Sequence, residues 1–398
     1  MAESAAAAGV LSGALGWLGA HLEWFAAARW EEFLPRRPFP PGPLLELLGL
    51  VRLLDRSGRL SADAPLSSGA LDLAERAVAG ADFVRGLRRA DELFPYHLNL
   101  LALLELLGRP QPALRALGEG LLASGAGGHA QPYKPLLGRI ELRYFLDRGG
   151  FRAPAVLPDV ATLYRASLPA LRPDVLHLTG SEIYAWTHVL FYVTDFGARR
   201  PLLDPAELAR LRETVRVLLA VHLARGSLDL VAELLLCAAA LGYGPDTPVR
   251  DGWSALFRAR RPDGAVPSPV HRPGVLAGLT GDKATAYLFG TCYHTTLATA
   301  LAAVVRAEQG AAPEGVAGPR LPCAAPADIL RWAAATTAAP GAARACEVAP
   351  LLVLCVQARD LRVLAEVLRA AEALGCGEDP VVRSAAAYLA AGTSRPSG

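Results

Sequence analysis

The sequence predicts an all-α protein of stacked helical hairpins that close into a ring or coil as a curved solenoid, with no sheet. Apolar residues make up 52% of the 398-residue chain. Most of them are Ala, Leu and Val, and Ala and Leu lose little conformational entropy in a helix. No run of alternating β-branched residues is long enough for a strand. Glycines at positions 58, 108, 149, 197 and 242 each close an apolar stretch. The steps between them are roughly 40 to 50 residues, the length of a two-helix repeat.

The elements follow in order. Residues 3–33 are amphipathic, and Trp17, Trp24 and Trp30 fall along one stripe, suited to core packing or to a dimer or partner surface. The run PRRPFPPGP at 35–43 cannot be helical and makes a stiff connector. Pro43 then starts a helix over 44–54. Outer helices are expected over 70–87, 112–122, 156–168 and 205–223. Each is followed by a more apolar inner helix, over 96–107, 135–146, 181–196 and 227–241. Such alternation is what stacked hairpins need when one helix of each lines the inside.

The next inner helix is expected to begin near Tyr287. Before it, residues 244–251 and 261–274 are rich in Pro and Gly, with a short helical piece around 253–258. A loop of that length is expected to be functional, and its place between two polar inner helices suggests a lid over the site. A Pro/Ala/Gly linker follows residue 310, then four shorter closing helices over 327–335, 341–358, 361–374 and 380–391. The expected organisation is therefore 1–34 as N-terminal helices, 42–310 as the repeat body, 326–392 as the closing helices and 393–398 as a disordered tail.

Composition excludes several classes. The 40 basic and 38 acidic residues leave a formal charge of +2, too small for a nucleic-acid field. The six cysteines, at 237, 292, 323, 346, 355 and 376, include no CxxC pair and fit reduced thiols in a cytoplasmic protein. The N-terminus lacks a basic leader and is interrupted by Trp, His and Glu, so neither a signal peptide nor a membrane span is expected. The stretch around Gly278 and Lys283 lacks P-loop spacing. No nucleotide, flavin or other cofactor fingerprint is visible, so no cofactor is expected. Abundant Ala, Arg, Gly and Pro beside a single Met resemble the coding bias of GC-rich bacteria such as actinobacteria.

The candidate site centres on residues 180–197, GSEIYAWTHVLFYVTDFG. Ser181 is placed to cap this helix and Gly197 to end it in a left-handed turn. Ser181, Tyr184, His188, Tyr192 and Asp195 recur at three- and four-residue steps, which puts polar groups on one side of an otherwise apolar helix. Such a stripe must face either a hydrogen-bonded core or a wet cavity. Aligning Gly197 with Gly242 sets His188 on Glu233, Tyr184 on Asp229 and Tyr192 on Cys237. On the helix near Tyr287, Thr291, His294, Thr295 and Ala298 share its face.

Stacking would bring His188, Asp195, Glu233, Cys237, Cys292 and His294 towards one space, with Glu141 from the preceding inner helix. Three chemistries follow. For acid–base work, His188 or His294 exchanges the proton, Glu233 or Asp195 orients it and Tyr192 assists. Tyr184, Trp186, Tyr287, Thr291, Tyr293 and Glu141 would hold the substrate. For a metal, Cys292, His294 and Cys237 offer zinc-type ligands. Cys292 and His294 diverge by roughly 200° on a helix, so this requires the helix to start near Gly290. For a thiol nucleophile, Cys292 near a helix N-terminus is preferred over Cys237, which apolar neighbours quiet. The bland alternative is a buried histidine satisfied by Tyr or Thr hydroxyls.

The paired-helix period with polar inner helices resembles the α/α toroid of squalene–hopene-type terpene cyclases, protein prenyltransferase β subunits and lanthionine cyclases, over residues 40–375. Their motifs are not present. There is no DxDD and no QW repeat, Tyr293 separates Cys292 from His294, and Cys237 sits in LLLCAAALG without the upstream Trp-Cys-x-Gly. The chain is also similar to uncharacterised all-helical actinobacterial proteins. The expected function is an enzyme, or enzyme partner, of bacterial specialised metabolism. It would act on a hydrophobic small molecule or modified peptide by redox-neutral cyclisation, isomerisation or elimination. The alternative is a non-catalytic helical-repeat protein that binds a peptide or protein in its concave face. A homo-oligomer or protein partner would meet it through the N-terminal Trp helices, with no nucleic acid or membrane involved.

Overall fold

The computed structural model describes residues 2–308 and 345–393, except Ala62, Arg200, Leu202, Pro245 and Asp246. Eighteen α-helices and no strand occur among the described residues. In chain order they are α1 (Ala2–Ala20), α2 (Ala27–Phe33), α3 (Gly42–Arg56), α4 (Pro65–Ala79), α5 (Ala81–Arg89) and α6 (Phe94–Leu106). Next come α7 (Pro112–Ala123), α8 (Leu136–Arg148), α9 (Val160–Tyr164), α10 (Gly180–Val193), α11 (Pro205–Arg225) and α12 (Leu228–Ala240). The last six are α13 (Thr247–Ala259), α14 (Pro273–Ala277), α15 (Gly281–Glu308), α16 (Ala345–Ala358), α17 (Leu361–Ala373) and α18 (Pro380–Thr393). The protein is all-α.

Six helices touch in succession. Helix α3 packs on α6, α6 on α8, α8 on α10, α10 on α12, α12 on α15, and α15 packs back on α3. Five of these, α6, α8, α10, α12 and α15, are the inner helices expected from the apolar alternation; α3 joins them. The others pack outside them: α4 on α3, α5 and α7 on α6, α9 on α8, and α11 and α13 on α12.

The inner helices end as the glycines predict, with one shift. Gly58, Gly108, Gly197 and Gly242 all have positive φ, whereas after α8 it is Gly150 that turns left-handed. Gly149 serves another purpose. A Cβ there would lie 2.7 Å from the Ala102 Cβ and 2.9 Å from its Cα, so its missing side chain lets the end of α8 close against α6.

The N-terminal helices are a pad on α15. Trp17, Trp24 and Trp30 are buried, and their rings surround Phe289 of α15 at 5.8, 6.1 and 5.9 Å. The indole stripe is thus packed into the core. Helix α15 is long and apolar enough to cross a bilayer, and it is mostly buried within the chain, as an all-round apolar helix of a core would be.

The segment at 244–281 does not cover the interior. It holds α13 and α14 and then straps along α15. Ser268 N donates to Thr291 O at 2.9 Å and Val266 N to the Thr296 hydroxyl at 2.9 Å. The expected lid is therefore a brace on the outer side of α15. At the far end α16 packs on α11, and α17 and α18 pack on α16. The linker after residue 310, the helix expected over 327–335 and the tail at 394–398 lie outside the described residues.

Candidate functional site

The six inner helices enclose a cavity of about 650 Å³. Every one of them contributes to its wall: Glu46 and Arg52 from α3, Tyr96 from α6, Glu141 and Phe145 from α8, Tyr184, His188 and Tyr192 from α10, Glu233 from α12 and His294 from α15. Most of the remaining wall is Leu, Phe and Ala. The connector at 35–43 adds Arg37, Pro38 and Phe39, so the stiff Pro-rich run closes part of the wall that the loop at 244–281 leaves alone.

Helix α10 is held at its start by a capping box. The Thr179 hydroxyl accepts from Glu182 N, and Glu182 reaches back to Thr179 N. Thr179, and not Ser181, is the cap, because only Thr179 has the extended backbone that aims a hydroxyl at the first-turn N–H groups. From there the register sends Tyr184, His188 and Tyr192 to the cavity.

The depth match between α10 and α12 appears as contacts. The Tyr184 hydroxyl donates to Asp229, and His188 Nδ1 lies 3.7 Å from Glu233 Oε2. The Thr187 hydroxyl donates to Glu233 Oε2 at 2.6 Å. Glu233 also lies 3.7 Å from His294 Nε2, through Oε1. Across the cavity seam, His294 Nδ1 bonds Glu46 Oε2 at 3.0 Å. Two histidines thus share one carboxyl group, and one of them has a second.

The two rings differ in what they can do. Burial alone would lower the His294 pKa, but hydrogen bonds and charge from Glu233 and Glu46 outweigh it and hold the pKa well above the usual histidine value. Although deep in the protein, 40% of the His294 side chain is open, on the cavity side. His188 Nδ1 bonds the Tyr184 carbonyl at 2.7 Å. A carbonyl only accepts, so Nδ1 carries hydrogen, and in the neutral ring Nε2 bears the lone pair. That Nε2 has no hydrogen bond among the described residues, and 35% of the side chain is open.

A second polar group lies on the wall beside Tyr96 and Phe145. Tyr192 OH donates to Glu141 Oε1 at 3.0 Å and Asn99 Nδ2 to the same oxygen at 3.2 Å. Burial raises the Glu141 pKa, against the opposing effects of His188 and the Tyr192 hydroxyl. Burial and Glu141 push the Tyr192 hydroxyl well above its ordinary value.

Several predicted site residues lie elsewhere. Asp195 follows the end of α10, with its backbone left-handed at φ 48°, because the helix closes at Val193 before reaching it. Its carboxylate turns away to Arg52 at 2.7 Å, Tyr144 OH at 2.7 Å and Arg148 at 3.3 Å. Burial would raise its pKa, but these partners hold it below the usual range. Trp186 is fully buried on the opposite side of α10. Tyr287 and Thr291 share the azimuth of His294 but sit up to two turns nearer the helix start, roughly 10 Å along the axis. There they meet the brace: His271 Nδ1 pairs with the Thr291 hydroxyl at 2.9 Å, and Tyr287 OH accepts from Arg272 N at 2.8 Å. The Tyr293 ring packs on Trp30 and Phe289, and its hydroxyl accepts from Arg37.

The thiol readings fail on helix register. Helix α15 begins at Gly281 and not near Gly290, so Cys292 is mid-helix and points away from His294, towards His271 at 4.0 Å. Burial pushes the Cys292 thiol up to about 11 and Cys237 well above its ordinary value, the reverse of an activated nucleophile. Cys292, Cys237 and His294 do not converge, and no group of three or more His, Cys, Asp or Glu side chains among the described residues is arranged to hold a metal.

Sequence reasoning missed Glu46, Tyr96, Arg37 and Phe39. The signal for Glu46 was present: it is the only acidic residue among the apolar residues of GPLLELLGLVRLL, where an acid needs a partner or a wet surface.

The molecule is thus an all-helical protein whose inner helices line a mostly apolar cavity that carries a cluster of polar side chains. It belongs to the family described as a domain of unknown function, DUF6895, whose model matches residues 11–304. That stretch includes five of the six inner helices whole and α15 as far as residue 304. No curated protein and no solved structure matches the chain.

Proposed function

We propose that the chain is an α/α toroid enzyme of the bacterial cytoplasm that performs redox-neutral proton transfer on a hydrophobic small molecule, by cyclisation, isomerisation or elimination. One observation carries this reading. Two histidines of opposite readiness, one held protonated and one with a bare Nε2, flank the same glutamate on the wall of a cavity. Sites that run acid and base chemistry together place a proton donor and a proton acceptor around one substrate in this way.

The roles follow from the contacts. His188 Nε2 takes a proton from the substrate. His294, the imidazolium, returns one through Nε2, which has the looser of its two carboxyl contacts. Glu233 lies 3.7 Å from both rings and steadies their charges; the proton on His188 Nε2 leaves to solvent, and His294 Nε2 regains one from solvent by way of Glu233, so the site ends as it began. Thr187 fixes Glu233 for that relay, and Glu46 fixes the His294 ring. A cavity of this volume suits a small molecule better than a folded partner. The polar inner helices, shared with the toroid enzymes the sequence resembles, support a place in specialised metabolism.

The test is to incubate the purified protein with a metabolite extract of the producing organism in deuterated buffer. The expected product either has the substrate's atoms and carries solvent deuterium, or lacks one small neutral molecule. It should vanish with His188→Ala and with His294→Ala. A product differing by two hydrogens, or turnover that survives both variants, overturns the proposal.

A further inference from the structure

Glu141 has no task in the proton relay, and its surroundings are unusual. It lies on the cavity wall, its Oε1 takes hydrogen bonds from Tyr192 and Asn99, and its Oε2 has no hydrogen bond among the described residues. No arginine or lysine pairs with it there. The two arginines on the wall are committed elsewhere: Arg52 to Asp195 and Tyr144, and Arg37 to the Tyr293 hydroxyl and the face of Trp30. A carboxyl group held deep in a protein without a cation is costly. Here its free oxygen faces open space.

The wall near that oxygen is aromatic. Tyr96, Tyr192, Phe145 and Phe39 all line the cavity. Phe39 stacks on Tyr96 at 5.7 Å, and Phe145 lies edge-on to Tyr192 at 6.1 Å. Aromatic faces around one carboxyl group are the chemistry that holds an organic cation, by ring quadrupoles and one charge-assisted hydrogen bond. Three acidic side chains, Glu46, Glu141 and Glu233, line the cavity beside His294, Arg37 and Arg52; Glu46 and Glu233 pair with His294, and Glu141 has no ion pair among the described residues.

We propose that the Glu141 end of the cavity takes an ammonium group, so that the ligand is an apolar molecule carrying a basic amine. This deepens the reading of the cavity as a small-molecule site and rests on it. The amine docks against Glu141 and the aromatic faces, and the apolar body extends along the Leu and Phe wall towards His188 and His294.

The test uses the full chain and three probes of one shape: phenylbutylamine, phenylbutanol and phenylbutanoic acid, with decylamine as a second amine. Binding is read by calorimetry at neutral pH. At least one amine is expected to bind about tenfold or more tighter than the alcohol and the acid. Glu141→Gln, which keeps the side chain's shape, should erase that preference. Tyr96→Leu, at a partly exposed position, should weaken the amine several-fold and leave the alcohol unchanged. Equal or tighter binding of the alcohol or acid, no binding of either amine, or an amine preference that survives Glu141→Gln overturns the proposal. Failure of the acid–base reading looks different: amine preference persists, while His188→Ala and His294→Ala leave turnover intact.

Discussion

Helix α10 feeds two buried polar clusters, and they are built to opposite ends. Beyond its C-terminus, Asp195 is saturated. Arg52, Tyr144 and Arg148 take its carboxylate, and Arg56 donates to the carbonyls of Asp195 and Phe196 at 2.8 and 3.1 Å. One to two turns earlier, His188 keeps a ring nitrogen bare and shares Glu233 with His294. Similar residue types serve both clusters. What separates structure from site is whether hydrogen-bonding capacity is left over, and where it points.

The comparison breaks most readily at Asp195. Asp195→Ala leaves the buried Arg52 guanidinium without its counter-charge, and the expected loss is about 3–5 kcal/mol in a urea titration. A loss below about 1 kcal/mol would mean the knot is no more structural than the cavity wall.

At the wall the large effect belongs to turnover. His188→Ala should lower the rate by about 10²-fold or more. The same variant should cost only about 1 kcal/mol or less of stability, because the ring is part-open and its loss strands no buried charge. Stability loss matching that of Asp195→Ala would make His188 a core residue.

A third histidine sharpens the contrast. His222 of α11 is buried, neither ring nitrogen has a hydrogen-bond partner among the described residues, and burial lowers its pKa from 6.5 to about 4. The folded chain therefore binds fewer protons than the unfolded one between those values. The stability present above 6.5 is lost as pH falls towards 4, by about 3 kcal/mol. His222→Leu should flatten that acid limb.

His294 has the opposite sign. Its raised pKa contributes stability that is fully present below the unfolded value and is lost as pH rises through the folded one. His294→Gln should remove an alkaline slope, the smallest of these effects, measurable as the change in melting temperature with pH.

Much of this was legible in the residues. Glycine spacing and apolar alternation picked out the inner helices, and aligning Gly197 with Gly242 paired His188 with Glu233 and Tyr184 with Asp229. The errors share a cause. Asp195 and Cys292 were misplaced because helix ends depend on caps and left-handed residues that periodicity does not register: α10 stops sooner than its stripe, and α15 starts sooner than its tyrosine. Glu46 was missed because it reaches the site across the seam between α3 and α15, and Phe39 because it comes from the connector and packs on Tyr96 of α6. A contact between residues 248 positions apart leaves no local signature. The brace at 244–281 has a lid's composition, but its backbone bonds go to α15, which only the packing shows.

That seam also orders events in time. Glu46 lies near the start of the chain, and its partner His294 is among the last inner residues to be made. Loop closure over such a distance comes late and makes folding slow. A chain still being synthesised can pair His188 with Glu233 while it still lacks the imidazolium donor. On the proposed roles, the site is therefore complete only once α15 docks, and a chain truncated short of His294 lacks the proposed acid.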